Sequence, residues 1–440
     1  MEKDVLFDFF KLMKPGMQDV MKKTPRYFIS VLIAGIFLFL SAGSAWSEQA
    51  LQSEEFFKIF PKGKHTTWFR GVAKIEDGYA ICGGIKEHKG RSNWAHVTKI
   101  DKFGNTIWER ELGKKARNAN FYKVVATRDK KLVLVGIVNS VPTIKWEAGL
   151  FSAASAWIVK LTTDGKVEWD RSFHSDNKMP NDTDDKTFTP AVWAENVIMV
   201  QNDDMIVLGN NSHGVSDAPA IWKINAQGKL IWNNTFKRED SIWSDVLFSF
   251  NQSEFVASGT AFNSITKDKH IWLVMFNNLG DILWEKKYKG KLFTAVKYSN
   301  DRIIIAGMSD FESNPVPGNK SSPRIWLSEI ERNGNVKSLK YIEEAGLCDI
   351  TNIWITDEKE ILVIGNTCES ERERIWTGRF TLSFTISSIN KFLPVRKIRV
   401  NDVIPDGREG FLAVGSGAEH GNGSQGAWVL RTKFNSDKYR

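Results

Sequence analysis

The stretch Lys99–Gly113 reads KIDKFGNTIWERELG. A strand-like run enters a short acidic turn whose Gly104 can supply the positive φ that tight turns need. Four residues after that glycine comes Trp108, in a second run suited to a strand. The same wording returns as KLTTDGKVEWDRSF (160–173), KINAQGKLIWNNTF (223–236) and MFNNLGDILWEKKY (275–288). ERNGNVKS (331–338) keeps the turn but puts Ser338 in the Trp slot, and the sixth copy lacks the pattern. Ahead of the turns stands a second series: Trp94, Trp157, Trp222, Trp272, Trp326, Trp376 and Trp428, at gaps of 63, 65, 50, 54, 50 and 52 residues. A period near fifty marks a repeat architecture.

Each repeat has one internal order. An apolar strand and a short polar turn lead to a β-branched strand marked at its end by Gly83, Gly136, Gly209, Gly259, Gly307, Gly365 or Gly415. A variable loop, the Trp strand, the glycine turn and a last strand follow. Helical periodicity is nearly absent after residue 60, which excludes helical repeats. Four short strands per unit describe the blade of a β-propeller. The sequence therefore predicts an all-β, seven-bladed β-propeller of four-stranded antiparallel blades, at roughly 66–113, 117–174, 188–237, 241–289, 291–342, 347–393 and 395–434. The seventh unit ends after its third strand. The Phe56…Phe60 spacing in EEFFKIFPKG matches Trp169…Phe173, Trp232…Phe236 and Trp284…Tyr288. Residues 54–60 are thus expected to supply the missing outer strand and close the ring, leaving no open edge. An indole at a fixed place in every blade fills the wedge between blades, so the repeat Trp are read as core rather than as a ligand platform.

Residues 1–47 read as a signal peptide, with Met21 as a possible true start: Lys22, Lys23 and Arg26 precede the apolar run 27–40, and small residues follow. This predicts a periplasmic or secreted protein whose propeller occupies 48–440. The net charge is +8, without a dense basic run outside the signal, and no basic-aromatic stripe points to nucleic acid. Membrane contact is expected only through an uncleaved signal segment. Three cysteines are present. Cys82 reads as a small buried hydrophobe, whereas Cys348 and Cys368 flank a predicted hairpin and are candidates for a disulfide in an oxidising compartment.

The turn–Gly–three residues–Trp pattern of the four quoted stretches resembles the repeats of secreted bacterial β-propellers, including quinoprotein (PQQ-type) propellers and the outer-membrane assembly propeller lipoprotein. The resemblance spans most of residues 66–434 and implies the architecture. Quinoprotein dehydrogenases carry an adjacent Cys pair that this chain lacks, and those relatives usually have eight blades, so that activity is not implied here.

Loops joining second to third strands share one face of a propeller with the blade-to-blade connections. His88, His213 and His420 fall in such loops, each four or five residues after its glycine marker, and are candidate metal ligands. Asp182, Asp184 and Asp185 make the connection between blades two and three acidic, and a solvated linker is the simpler reading. Two long inserted loops carry Trp146 and Phe151 (137–156) and Phe311 (309–324), candidate partner contacts or a plug over the channel. No nucleophile elbow, P-loop, HExxH or dinucleotide-binding pattern stands in a supporting context. The sequence assigns no cofactor. It favours an exported, monomeric binding or interaction scaffold contacting an envelope protein or extracellular ligand. A metal-dependent hydrolase or lyase on the His/Asp face and an accessory subunit of an envelope assembly complex are the alternatives.

Overall fold

Seven four-stranded antiparallel sheets follow one another along the chain in the computed structural model. The described residues are 55–434 apart from 91, 117, 140–143, 147, 148, 152, 153, 175–190, 213–216, 237–239, 264, 310–323, 343, 345, 348, 368–373, 393–397, 409 and 421–423, and without the side chains of 144–146, 149–151, 245, 418–420 and 424. The predicted signal segment lies outside them. The one helical turn among the described residues is Gln201–Asp203.

The first strands of the blades are Thr66–Ile75, Ala119–Ala126, Ala191–Met199, Ser241–Ser249, Lys291–Ser299, Asn352–Ile355 and Arg399–Pro405. Each pairs with the second strand of its blade, the second with the third, and the third with the fourth. The last sheet takes its fourth strand from the other end of the chain: Phe56–Phe60 pairs antiparallel with Ser424–Lys433, Phe56 opposite Arg431 and Phe60 opposite Ala427. The closure expected from the sequence is therefore the one the protein uses.

Six of the seven repeat Trp are buried, from 0% exposed at Trp272, Trp376 and Trp428 to 6% at Trp157 and Trp222. Trp94 alone is half-buried. Their partners are aromatic: Trp157 stacks on Phe121 at 4.8 Å, and Trp272 meets Phe236 edge-on at 5.2 Å. Such pairs contribute about 0.5–1.5 kcal/mol beyond the area they bury.

The second Trp series links each of the first four blades to the next. Trp108 Nε1 donates to Thr163 O (3.1 Å), Trp169 to Ala226 O (3.2 Å), Trp232 to Asn278 O (3.1 Å) and Trp284 to Arg332 O (2.6 Å). Every acceptor lies two residues before the turn glycine of the following blade. That glycine admits the ring: a methyl group on Gly165 would stand 3.0 Å from Trp108.

Where the last blade meets the first, polar contacts are dense. Asp406 accepts from Lys74 Nζ (2.7 Å), Tyr79 Oη (2.8 Å) and Arg431 Nε (2.6 Å). Asn401 Nδ2 donates to Phe69 O at 2.6 Å, and Thr67 Oγ1 donates to Phe60 O at 2.9 Å while accepting from Ala427 N at 2.7 Å. Burial and the hydrogen bond to Asp406 push the Tyr79 hydroxyl well above its ordinary range, so it stays a donor.

Candidate binding site in the central channel

All seven first strands contribute to one cavity of about 870 Å³ on the ring axis. Its wall is shaped by a repeated irregularity. The register between first and second strands slips by one residue at Arg70, Tyr122, Glu195, Asp245, Phe293 and Asn401. In the sixth blade Thr351 N donates to Ile364 O while Asn352 is the residue paired with Ile364, the same step of two residues against one. A β-bulge re-aims its extra residue and bends the strand. Here it turns Arg70, Tyr122, Glu195, Phe293, Thr351 and Asn401 to the lumen.

The glycine markers exist for this bulge. The bent first strand drives a carbonyl into the second strand, and a methyl group on Gly136 would stand 1.9 Å from Asn120 O, or on Gly83 2.0 Å from Trp68 O. The residue after the marker then ties the next blade in: Asn210 Oδ1 accepts from Ser244 N (2.9 Å) and Asn366 Oδ1 from Val400 N (2.9 Å).

The channel differs along its length. Two residues before the bulge, towards the ends of the first strands that receive the blade-to-blade connections, Trp68, Asn120, Lys291, Asp349 and Arg399 line the cavity. Three residues after it the lining is apolar, with Val125, Ile198, Phe248 and Val296. The polar end is thus on the side of the second-to-third-strand loops.

Charge in the lumen is concentrated and partly cancelled. Lys123 Nζ is 2.7 Å from Asp402 Oδ2, which also accepts from Val72 N at 2.9 Å. Asp349 accepts from the main-chain N and Nδ2 of Asn366 (2.8 and 3.0 Å), and its burial still raises its pKa against the pull of Arg399 and Lys291. Glu195 is half-buried against the lumen; desolvation pushes its pKa up to about 7, opposed by Arg70 and by a hydrogen bond from Trp193. Burial and the neighbouring Glu195 push Tyr122 up to about 12. Arg70 lies 5.5 Å from the Tyr122 ring centroid. Three adjacent blades therefore set a cation, a neutral phenol and a carboxyl that exchanges its proton near pH 7 at equivalent positions.

Of the residues predicted as sites, His88 alone is described together with its side chain. His88 is exposed, and its main-chain N donates to His65 Nδ1 at 3.1 Å. His420 ends the strand Gly410–His420 opposite Ser424, and Trp146 and Phe151 sit in the paired strands Ile144–Trp146 and Gly149–Phe151. The side chains of His420, Trp146 and Phe151 lie outside the described residues, as do His213, Phe311, Asp182, Asp184, Asp185, Cys348 and Cys368 entirely. Among the described residues, no group of three or more His, Cys, Asp or Glu could hold a metal ion. Cys82 is fully buried, and desolvation raises its thiol pKa, as a small core hydrophobe requires.

The bulge residues escaped the sequence reading although a signal was present. They stand fourteen residues before the glycine marker in six repeats and thirteen before it in the first. Their dissimilarity in type hid their equivalence in place.

No protein-family model matches the chain, and no curated protein matches it in sequence. Solved structures do. Hydrazine synthase of Kuenenia stuttgartiensis is similar with a TM-score of 0.51 at 10% identity, over 84% of this chain and 97% of that one. Polysaccharide lyase Uly1 gives a TM-score of 0.50 at 9% identity, over 86% and 91%. The β-propeller domain of the trilobed protease from Pyrococcus furiosus gives 0.44 at 10% identity, over 85% and 97%. At this level of identity the likeness shows the propeller fold and nothing finer.

Proposed function

We propose that this chain is an exported, monomeric β-propeller of the cell envelope that works as a binding scaffold, taking a ligand or partner at the polar end of its channel. One observation carries the reading. The seven blades repeat their core residues and differ at the bulge, and the six bulge residues whose side chains are described line the lumen. Positions that only hold the ring together would be free to repeat, as the buried Trp do. The inserted loops 137–156 and 309–324 and the His-bearing loops would extend the same face.

The test is position-specific photo-crosslinking in the source organism's envelope. A crosslinking residue at Asn401 or Phe293 is expected to give discrete adducts, while one at the exposed, outer-strand Val336 gives none of them. The same adduct pattern from Val336 as from the channel overturns the reading.

A second reading, an enzyme acting on a ligand in the channel, is favoured by Glu195, whose pKa of about 7 beside Tyr122 suits proton transfer. It predicts that Glu195→Gln abolishes turnover while leaving binding intact. Loss of binding and turnover together would count against it.

A further inference from the structure

We infer that the polar end of the channel is a site for a polycarboxylate, a ligand carrying two or more carboxylates on a compact frame. The inference rests on the binding reading above and names the chemistry of the ligand.

Among the described side chains, four cations and three acids line the lumen: Arg70, Lys123, Lys291 and Arg399 against Glu195, Asp349 and Asp402. Lys123 is spent on Asp402. Asp349 stands between Lys291 and Arg399 in ring order and attracts both, but its oxygens accept from Asn366 Nδ2 at 3.0 and 3.2 Å and pair directly with neither cation. Among the described residues Lys291 and Arg399 make no side-chain hydrogen bond or ion pair, and both are exposed to the lumen. They hold equivalent places, each two residues before its bulge and opposite the residue after its glycine marker. Arg70 is exposed too, with its guanidinium 5.5 Å from the Tyr122 ring centroid. A carboxyl at Glu195 that protonates near neutrality offsets it only in part.

Three cations with unspent donors in one cleft concentrate anions, and low-dielectric walls strengthen their field. Guanidinium groups add a planar fork that matches a carboxylate. Because the cations come from blades five, seven and one, a single-point anion reaches only part of the set, whereas two or more carboxylates engage it together. Trp68 lines the same cavity, its Nε1 donating to Asn120 Oδ1 at 3.2 Å, and the Phe293 ring lies 5.8 Å from Lys291 Nζ, so the cations stand beside aromatic surface that could meet the frame of such a ligand.

Titration calorimetry on the exported protein tests this with citrate, trigalacturonate and neutral galactotriose as probes. At least one polycarboxylate is expected to bind one to one and to weaken as salt rises, with galactotriose silent. Arg399→Gln and Lys291→Gln should each weaken binding by about tenfold. Lys166→Gln, on an outer turn at 79% exposure, should leave it unchanged. Binding of trigalacturonate alone identifies a sugar frame, and of citrate alone a small acid; both support the site. If neither polycarboxylate binds, if galactotriose binds equally well, or if the channel variants bind like the wild type while melting normally, the inference is wrong. Channel-specific crosslinks without polycarboxylate binding would keep the scaffold reading and remove only this step.

Discussion

Phe56 packs on Gly104 so closely that a methyl group on that glycine would stand 2.6 Å from the Phe56 ring. This is the relationship of Trp108 to Gly165 and of Trp169 to Gly228, carried across the join between the two ends of the chain. The indole's hydrogen bond is replaced as well: Arg431 Nη1 donates to Lys102 O at 3.0 Å, on the carbonyl two residues before the turn glycine. The amino-terminal strand therefore performs the work of a fourth strand in an ordinary blade, with a different aromatic and a borrowed donor.

Removing that strand should expose the paired edge of Ser424–Lys433 and the seam beneath it. Deletion of residues 50–61 is expected to lower the melting temperature sharply and to promote self-association through the bared edge. Phe56→Ala, at a side chain 8% exposed, should cost about 3 kcal/mol in urea unfolding. A deletion variant that melts like the full chain and stays monomeric would show that the closing strand is dispensable.

Two glycines separate the reasons for having glycine. Gly136 has an ordinary φ but no room beside Asn120 O, whereas Gly407 has open space and a φ of +75°. Gly136→Ala should destabilise by at least about 2 kcal/mol, because main chain must move. Gly407→Ala should cost about 1 kcal/mol, the conformational penalty alone. Equal losses in chemical denaturation would mean that the close approach at the bulge relaxes freely.

The glycine markers also show how far the sequence could be read. Their spacing, with that of the Trp, counted the blades and exposed the missing strand, because inter-blade wedges are alike and demand like residues. The markers do not stand at strand ends, as their place in the repeat suggests: Gly83 lies within Gly78–Lys86 and Gly259 within Glu254–Phe262. What the glycine accommodates is a bend in the neighbouring strand, and no local signal reports a register slip. The channel residues were illegible for the opposite reason: Arg70, Glu195 and Phe293 share a place but no chemistry. His88 stands out in the sequence because it follows its glycine marker by five residues, as His213 and His420 follow theirs by four and five. It is exposed, and the contact it makes with His65 is through its main-chain N.

His96 gives the fold a pH dependence. It is fully buried, its ring stacked on Phe69 at 5.8 Å, with neither ring nitrogen hydrogen-bonded. Burial holds its pKa down at about 4, against a partly compensating pull from Glu109. From pH 6.5 down to about 4 the unfolded chain takes up a proton that the folded one refuses, so stability falls as pH falls, by on the order of 3 kcal/mol. Glu195 has the opposite sign. Its folded pKa of about 7 lies above the ordinary 4.5, so its contribution is complete below pH 4.5 and is lost as pH rises to 7. The two windows overlap and their opposite slopes largely cancel between pH 4.5 and 6.5, so His96→Phe should make stability rise as pH falls through that range, and Glu195→Gln should make it fall. A stability–pH profile of His96→Phe parallel to that of the wild type would place the origin of the pH dependence elsewhere.

The fifth and sixth blades meet without the Trp clamp, and the substitution is matched on both sides. Ser338 occupies the slot that holds Trp284 one blade earlier, and the following turn carries Phe384 where its counterparts carry glycine. Phe384 adopts φ +59°, unfavourable for a bulky residue, yet it is only 5% exposed and packs in the core around Ile342 and Leu347. The aromatic ring has thus moved from the outer strand of one blade to the turn of the next. Phe384→Gly alone should relieve the backbone but leave a cavity, a net loss of about 2–4 kcal/mol. Ser338→Trp alone should overpack the slot and cost about 1–3 kcal/mol. Together they recreate the arrangement of Trp284 on Gly334, so the double variant should be more stable than the sum of the two losses allows, by at least about 1 kcal/mol in a double-mutant cycle. Strict additivity would mean that the two side chains do not compete for one space and that this interface is built on different lines from the four closed by Trp and the one closed by Phe56.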